Sequence, residues 1–317
     1  MKIAIIGTGG IGAYYGSRLI AAGQEVHFVS TPRHVEPVRS RGLITHSAIF
    51  GDEVFHPASI TTDPAEIGVV DVVVVTVKLY QLEATVAGID ALIGPDTIVF
   101  STQNGVTAPE ILADRLGPEH VVTGICYIVA YLEGPGEIVQ KGPKPAMTVG
   151  ARTVAERGQA QAETDTRIQE FVDALVSGGV TATIDPDIEH AQWSKFALIA
   201  TFGGVCGLAD TTIGEIRDYE PTRALLRQSL EEVQAVARAK GVELTDADLD
   251  GVLQRLSIQD HGGTTSMQRD IAAGNPSELA ELNGAVVDMA DKLGIPVPFH
   301  KVALAVLGMR ANRSHTA

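Results

Sequence analysis

The sequence predicts an α/β fold in two parts, a doubly wound sheet followed by an all-α half, and three observations carry that reading. Up to about residue 185, short β-branched runs alternate with amphipathic stretches, the pattern of a parallel sheet covered by helices. One run, over residues 71–77, is nearly continuous valine, the composition of a strand buried on both faces. Beyond Asp185-Pro186 the apolar residues recur with a 3.6-residue period. At 317 residues the chain also exceeds what one hydrophobic core organises, since single cores stop growing at roughly 250 to 300 residues. Domains are therefore expected over 1–185 and 186–317.

Residues 2–6 read as a first strand, 10–22 as a helix closed by Gly23, and 25–30 as a second strand. The valine run belongs at the sheet's centre. Residues 97–101 supply another strand, and Asn104-Gly105 marks a tight turn before a helix starting near Ala108. Residues 121–132, 137–140 and 146–150 follow as strands or hairpins, then a helix over 159–176 and a short strand over 180–184. In the second half, helices are expected over 191–206, 222–240, 246–256, 278–293 and 299–309, with a frayed tail over 311–317.

Composition narrows the function. With 45% apolar and 20% charged residues the chain can bury a sizeable core, which excludes disordered and fibrous classes. A net charge of -15 repels phosphate backbones and anionic lipid, so neither nucleic acid nor membrane is an expected partner. Cys126 and Cys206 have no CxxC or Cys/His spacing, which argues against a disulfide framework or zinc site, and no His/carboxylate group has ligand spacing, so no metal is expected. The run 196–209 is too short to span a membrane and reads as a buried helix. The apolar start is cut by glycines with no cleavage-like site after it, and the expected location is the cytoplasm.

Gly7-Thr8-Gly9-Gly10-Ile11-Gly12 matches GxGxxG, and its place between a predicted strand and a predicted helix gives it weight. This is the fingerprint of a Rossmann-type dinucleotide site. Gly7 permits the tight turn, Gly9 lets backbone approach a pyrophosphate, Gly12 allows close packing of helix on strand, and the helix N-terminus faces the phosphates. NAD-selective sites hold the ribose 2′-hydroxyl with an acidic residue at the end of the second strand. Here that strand runs out as Ser30-Thr31-Pro32-Arg33-His34, without a carboxylate. Two hydroxyls followed by Arg33 suit a 2′-phosphate, so the expected cofactor is NADPH. The bland alternative is a solvated loop arginine.

At this point the sequence resembles the ketopantoate reductase (2-dehydropantoate 2-reductase) family over nearly its whole length. The resemblance rests on Thr76-Val77-Lys78-Leu79-Tyr80-Gln81, Gln103-Asn104-Gly105, Trp193-Ser194-Lys195-Phe196, Ser266-Met267-Gln268, and Ser277-Glu278-Leu279 with Asn283-Gly284. It implies a Rossmann domain followed by a helical domain like that of 6-phosphogluconate dehydrogenase, with NADPH and a small 2-keto acid as ligands. It also implies reduction to a 2-hydroxy acid, here 2-dehydropantoate to pantoate in pantothenate biosynthesis, and a homodimer through the helical half.

Hydride delivery to a ketone places negative charge on its oxygen, so an acid or electrostatic partner must meet that oxygen. Lys195 at the start of an apolar helix is the candidate, and it matches the family's proton-donating lysine; unaided, it reads as a cation snorkelling to solvent. Glu278 resembles the acidic residue that holds that lysine and contacts substrate. Locally, though, Asn275-Pro276-Ser277-Glu278 looks like a capping box. Ser266 resembles the contact to the substrate carboxylate, or it caps a helix. Asn104 and Lys78 both follow predicted strands on the side where open α/β sheets bind ligands, which suits contact with cofactor and substrate; for Asn104 a simple turn role is the alternative. His190 and Trp193 read as packing residues, and His261-Gly262-Gly263 as a loop that either closes over the site or is plain surface.

One departure bears on substrate. Family members with ketopantoate chemistry typically carry asparagines four and eight residues after the lysine, where this chain has Ile199 and Gly203. The expected pocket is less polar and locally wider. Two alternatives to a ketopantoate reductase follow: a relative acting on another, less polar acid, or a non-catalytic sensor of NADP(H), which would need the glycines and Arg33 but no proton donor.

Overall fold

The computed structural model describes residues 1–151 and 161–314, and the chain divides into two compact units. The first comprises Met1–Gln103 and Ala108–Ile188, and the second Asn104–Thr107 with the chain from Glu189 onward.

In the first unit the elements run β1 (Lys2–Ile6), α1 (Gly10–Ala21), β2 (Glu25–Val29), α2 (Pro32–Arg41), β3 (Leu43–Ser47), β4 (Gly51–Phe55), β5 (Ser59–Thr61), β6 (Val72–Val75), α3 (Leu82–Val86), β7 (Ile98–Ser101), α4 (Ala108–Leu116), β8 (Val121–Gly134), β9 (Glu137–Ala151), α5 (Gln161–Ser177) and β10 (Thr181–Ile184). Among the described residues all ten strands form one sheet in the order β4-β3-β9-β8-β7-β6-β1-β2-β5, with β10 also paired to β9. The stretch from β8 through β7, β6, β1 and β2 to β5 is parallel throughout.

Alternation along the central strands explains the two helical layers. Ile3, Ile5, Val72 and Val74 bury one face in a core with Tyr14, Leu19 and Phe171. Ala4, Ile6, Val73 and Val75 bury the other with Leu82, Val86 and Leu112. The valine run is thus buried on both faces, as its composition required. The chain leaves β1 toward β2 on one side and returns to β6 on the other, so the carboxyl ends of β1 and β6 form the switch point where open α/β sheets bind ligands.

Two predicted segments, 137–140 and 146–150, are the halves of the single strand β9. Its first half pairs with β3, its second with β10, and its antiparallel pairing with β8 skips from Lys141 to Ala146. Residues 142–145 read Gly-Pro-Lys-Pro, and proline cannot donate to a ladder, so the strand bulges there. Strands β3 to β5 and helix α2 were not expected. β4 is mostly exposed and polar, and α2 is short, charged and interrupted by Pro37, so neither has the apolar period that identifies an element. The helix expected over 159–176 is described over Gln161–Ser177; residues 159 and 160 lie outside the described residues.

The second unit contains α6 (Ile188–Ala209), α7 (Ile213–Asp218), α8 (Glu220–Ala239), α9 (Asp246–Ser257), α10 (Ser266–Ala272), a π-helical turn (Ala280–Gly284) running into α11 (Ala285–Leu293), and α12 (Pro298–Ser314). Its core gathers Phe196, Ala197, Ala200 and Cys206 of α6 with Leu230, Val233, Val286 and Leu307, and takes in Val106 from the four-residue loop. Instead of fraying from Ala311, α12 continues to Ser314, and the rest of the expected tail lies outside the described residues. Among the described residues no helix is long and apolar enough to cross a membrane.

Candidate active site

The glycine turn joins β1 to α1, and its three glycines differ in what surrounds them. Gly7 has φ +104°, a conformation that only glycine adopts readily. A Cβ on Gly12 would stand 2.3 Å from both the Gly7 carbonyl oxygen and Thr76 Oγ1, whereas a Cβ on Gly9 would meet nothing within 4 Å. Gly12 is therefore a packing glycine, and Gly9 leaves open backbone at the start of α1, where no side chain caps the first N–H groups. Gly10 is crowded by the Ala130 carbonyl, Ile11 packs on the core, and buried Thr8 hydrogen-bonds the Ser30 hydroxyl.

Arg33 is not a loop residue. It is exposed in the first turn of α2, beside the Thr31 N-cap, whose hydroxyl makes no cap hydrogen bond. A cation there opposes the helix dipole unless an anion joins it. Its neighbour His34, which sequence reasoning passed over, is buried with Nδ1 unpartnered, and burial followed by the Arg33 charge lowers its pKa. Lys78 stands half-buried three residues past β6.

In the second unit three predicted residues come together. The Lys195 ammonium donates to Asn104 Oδ1 at 3.0 Å, and Asn104 Nδ2 lies 3.5 Å from Glu278 Oε2. Asn104 arrives on the loop Asn104–Thr107, held by Gln192 Nε2 donating to the Gly105 carbonyl at 3.0 Å and by Val106 in the core. Glu278 is only 4% exposed while Asn104 and Lys195 are half-buried, and the Asn104 amide faces both the Lys195 Nζ and the Glu278 carboxyl group. Such an arrangement can hold an ammonium N–H in a fixed direction and offer a proton there.

The chain has relatives. A family model described as ketopantoate reductase PanE/ApbA matches residues 3–153, and one described as ketopantoate reductase PanE/ApbA C terminal matches residues 187–311. The chain belongs to the ketopantoate reductase family. It is 27% identical over 299 residues to a 2-dehydropantoate 2-reductase of Nostoc, covering 94% of this chain and 91% of that protein. A crystal structure of a PanE/ApbA family ketopantoate reductase from Ralstonia eutropha superposes with a TM-score of 0.87 at 28% identity, covering 99% of this chain and all of the other. A ternary structure of D-mandelate dehydrogenase with NADH and anilino(oxo)acetate also reaches 0.87, over 99% of this chain and all of the other, but at 23% identity it speaks for the fold alone.

The capping readings fare differently in this oxidoreductase. Glu278 closes no capping box, because the chain around Pro276 is not helical and the turn begins after Leu279. At α10 the cap is Thr265, whose hydroxyl accepts from Gln268 N at 3.1 Å, and exposed Ser266 sits beyond it. Trp193 does pack, edge-on to Phe196, while His190 lies 3.2 Å from Asp248 as an ion-pair partner. The 261–263 loop is pinned to α7 by two backbone hydrogen bonds and by His261 contacting Asp218 at 3.0 Å, which does not suit a closing lid.

Ile199 packs partly buried against the core. At Gly203 the expected widening is absent, because a Cβ there would stand 2.8 Å from Met267 Cε: the thioether fills the space. The fold also assembles one group that sequence spacing could not display. His46, Glu133 and Glu137 bring their ligand atoms within 4.8 Å of one another. Within it His46 bonds Glu137 at 3.2 Å, and it also bonds Asp52 at 2.8 Å.

Proposed function

We propose that this protein is an NADPH-dependent 2-keto acid reductase, with 2-dehydropantoate as the substrate that its family favours and pantoate as the product. The observation that carries the reading is the Lys195–Asn104–Glu278 cluster, since a dinucleotide sensor has no use for a held ammonium. NADPH, when bound, supplies the hydride to the carbonyl carbon.

The first unit fits that cofactor. Open backbone at Gly9 and the uncapped start of α1 offer N–H donors to a pyrophosphate, and Arg33 at the start of α2 offers charge to a 2′-phosphate. Lys78 stands at the carboxyl end of β6, on the ligand side of the sheet. In the second unit Asn104 directs the Lys195 ammonium. As negative charge develops on the carbonyl oxygen, Lys195 Nζ gives that oxygen a proton, the carbonyl becomes a hydroxyl, and the neutral amine regains its proton from solvent. Glu278 holds Asn104 from its far side, and Ser266, released from capping, is free to donate to the substrate carboxylate.

A less polar 2-keto acid is a second reading, favoured by Ile199 and by Met267 over Gly203, which put apolar groups where asparagines would bond a hydroxyl. NADPH oxidation measured with a panel of 2-keto acids tests both. Reduction of any member supports the reductase reading, and the order of kcat/KM ranks the substrates; NADPH binding without turnover of any acid leaves the sensor.

A further inference from the structure

Helix α6 carries two consecutive glycines eight and nine residues beyond Lys195. Gly203 lies under Met267, while a Cβ on Gly204 would stand 2.7 Å from Asn283 Nδ2 and 3.1 Å from the Phe299 ring. Asn283 belongs to the π-helical turn that follows Glu278. We propose that Asn283 is a positioning residue for the reduction: seated over Gly204, it fixes where the turn rests on the Lys195 helix and so where Glu278 stands. The catalytic part of this inference rests on the reductase reading given above.

Three features support it. The first is the commitment of the amide. Asn283 is fully buried; its Nδ2 donates to the Ala200 carbonyl of α6 at 3.2 Å and lies 3.0 Å from His300 Nδ1. His300 is also fully buried, with Nε2 3.2 Å from the Ser229 carbonyl, and burial pushes its pKa down to about 4, so the ring is neutral near pH 7. A neutral imidazole has one N–H. Placed on Nε2, it donates to the Ser229 carbonyl, and Nδ1 accepts the second amide hydrogen of Asn283. Both amide hydrogens are then engaged, and a flip would turn the amide oxygen toward a carbonyl and a lone pair.

The second feature is mechanical. Leu282 N donates to the Glu278 carbonyl and Gly284 N to the Leu279 carbonyl, both at 3.0 Å, so Glu278 and Asn283 are tied into one short hydrogen-bonded unit. Moving one moves the other. Single π turns are frequent at functional sites.

The third feature is cost. Asn283 Oδ1 is buried without a partner, a penalty that an apolar side chain in this core would avoid. What the amide contributes instead is a fixed address on α6 that apolar packing, which has no direction, does not give.

Gly204→Ala is the sharpest perturbation, because it keeps every polar group and displaces the amide; Asn283→Leu removes the amide and keeps its bulk. Each should lower kcat for 2-keto acid reduction about ten- to a hundredfold, the range expected for misplacement by about 1 Å, while NADPH affinity holds. The double variant should lose no more than the poorer single, since the amide can be displaced only once. A crystal structure of the Gly204→Ala protein should show the Asn104 to Glu278 separation, 3.5 Å here, opened by about 1 Å or more. Unchanged kcat with Glu278 unmoved, or losses that multiply in the double variant, would overturn the proposal and leave Asn283 a core residue only. Should the unaltered protein reduce no 2-keto acid, the reductase reading fails, and the position of Glu278 in the Gly204→Ala structure still decides the geometric claim.

Discussion

Lowering the pH should destabilise the helical unit through His300. This ring is fully buried, and burial lowers its pKa from 6.5 to about 4. A depressed native pKa means that between those two values the unfolded chain binds a proton that the folded chain refuses. The contribution of the neutral ring to stability is therefore complete above about pH 6.5 and is lost as the pH falls toward 4. Integrating the linkage from pH 7.5 to pH 5 gives a loss of about 2 kcal/mol, out of about 3 kcal/mol available in full. The assay is urea unfolding followed by the fluorescence of Trp193, the one tryptophan of the chain, which lies buried in the same core. His300→Phe removes the titrating group, so the unaltered protein should lose about 2 kcal/mol more than the variant over that interval. Parallel pH dependence in the two proteins, or a native His300 titrating near the ordinary histidine value, would refute the reasoning.

Arg33→Ala should weaken NADPH binding roughly tenfold to a hundredfold and leave NADH nearly unaffected, because a charge-assisted contact contributes about 1.5 to 3 kcal/mol; titration of both cofactors decides it, and equal losses would show that Arg33 does not read the 2′-phosphate. With Ile199 and a filled space over Gly203, ketopantoate and 2-oxoisovalerate, which lacks its hydroxymethyl group, should differ by no more than about a hundredfold in kcat/KM. A preference of several thousandfold would mean that other residues bond the hydroxyl.

What could be read from the sequence followed from signals that are local. The glycine turn, the valine strand and α6 each carry their cause within about twenty residues, as turn chemistry, two-sided burial or apolar period. Strands β3 to β5 do not, because they are short and partly polar: β3 is held by β9 and β5 by β2, both distant in the chain, and β4 is an edge strand held by β3. The site divides in the same way. Lys195 and Glu278 were found through motif resemblance, but the bridge by Asn104 spans 91 residues to Lys195, and nothing near Asn104 announces that its loop packs with the helical unit. The capping-box expectation at Glu278 failed because a buried π-helical turn sets the register there, and buried contacts outweigh local preference. The expected widening at Gly203 failed for a related reason: an absent side chain can be replaced by one from another helix, here Met267.

The assignment of Lys195 as the proton donor is tested most directly by Lys195→Ala, assayed for 2-keto acid reduction at saturating NADPH alongside a binding measurement for the cofactor. Loss of the ammonium held by Asn104 should lower kcat by roughly 10² to 10⁴, with NADPH affinity near that of the unaltered protein. An alanine variant that binds NADPH and turns over at the original kcat would contradict it.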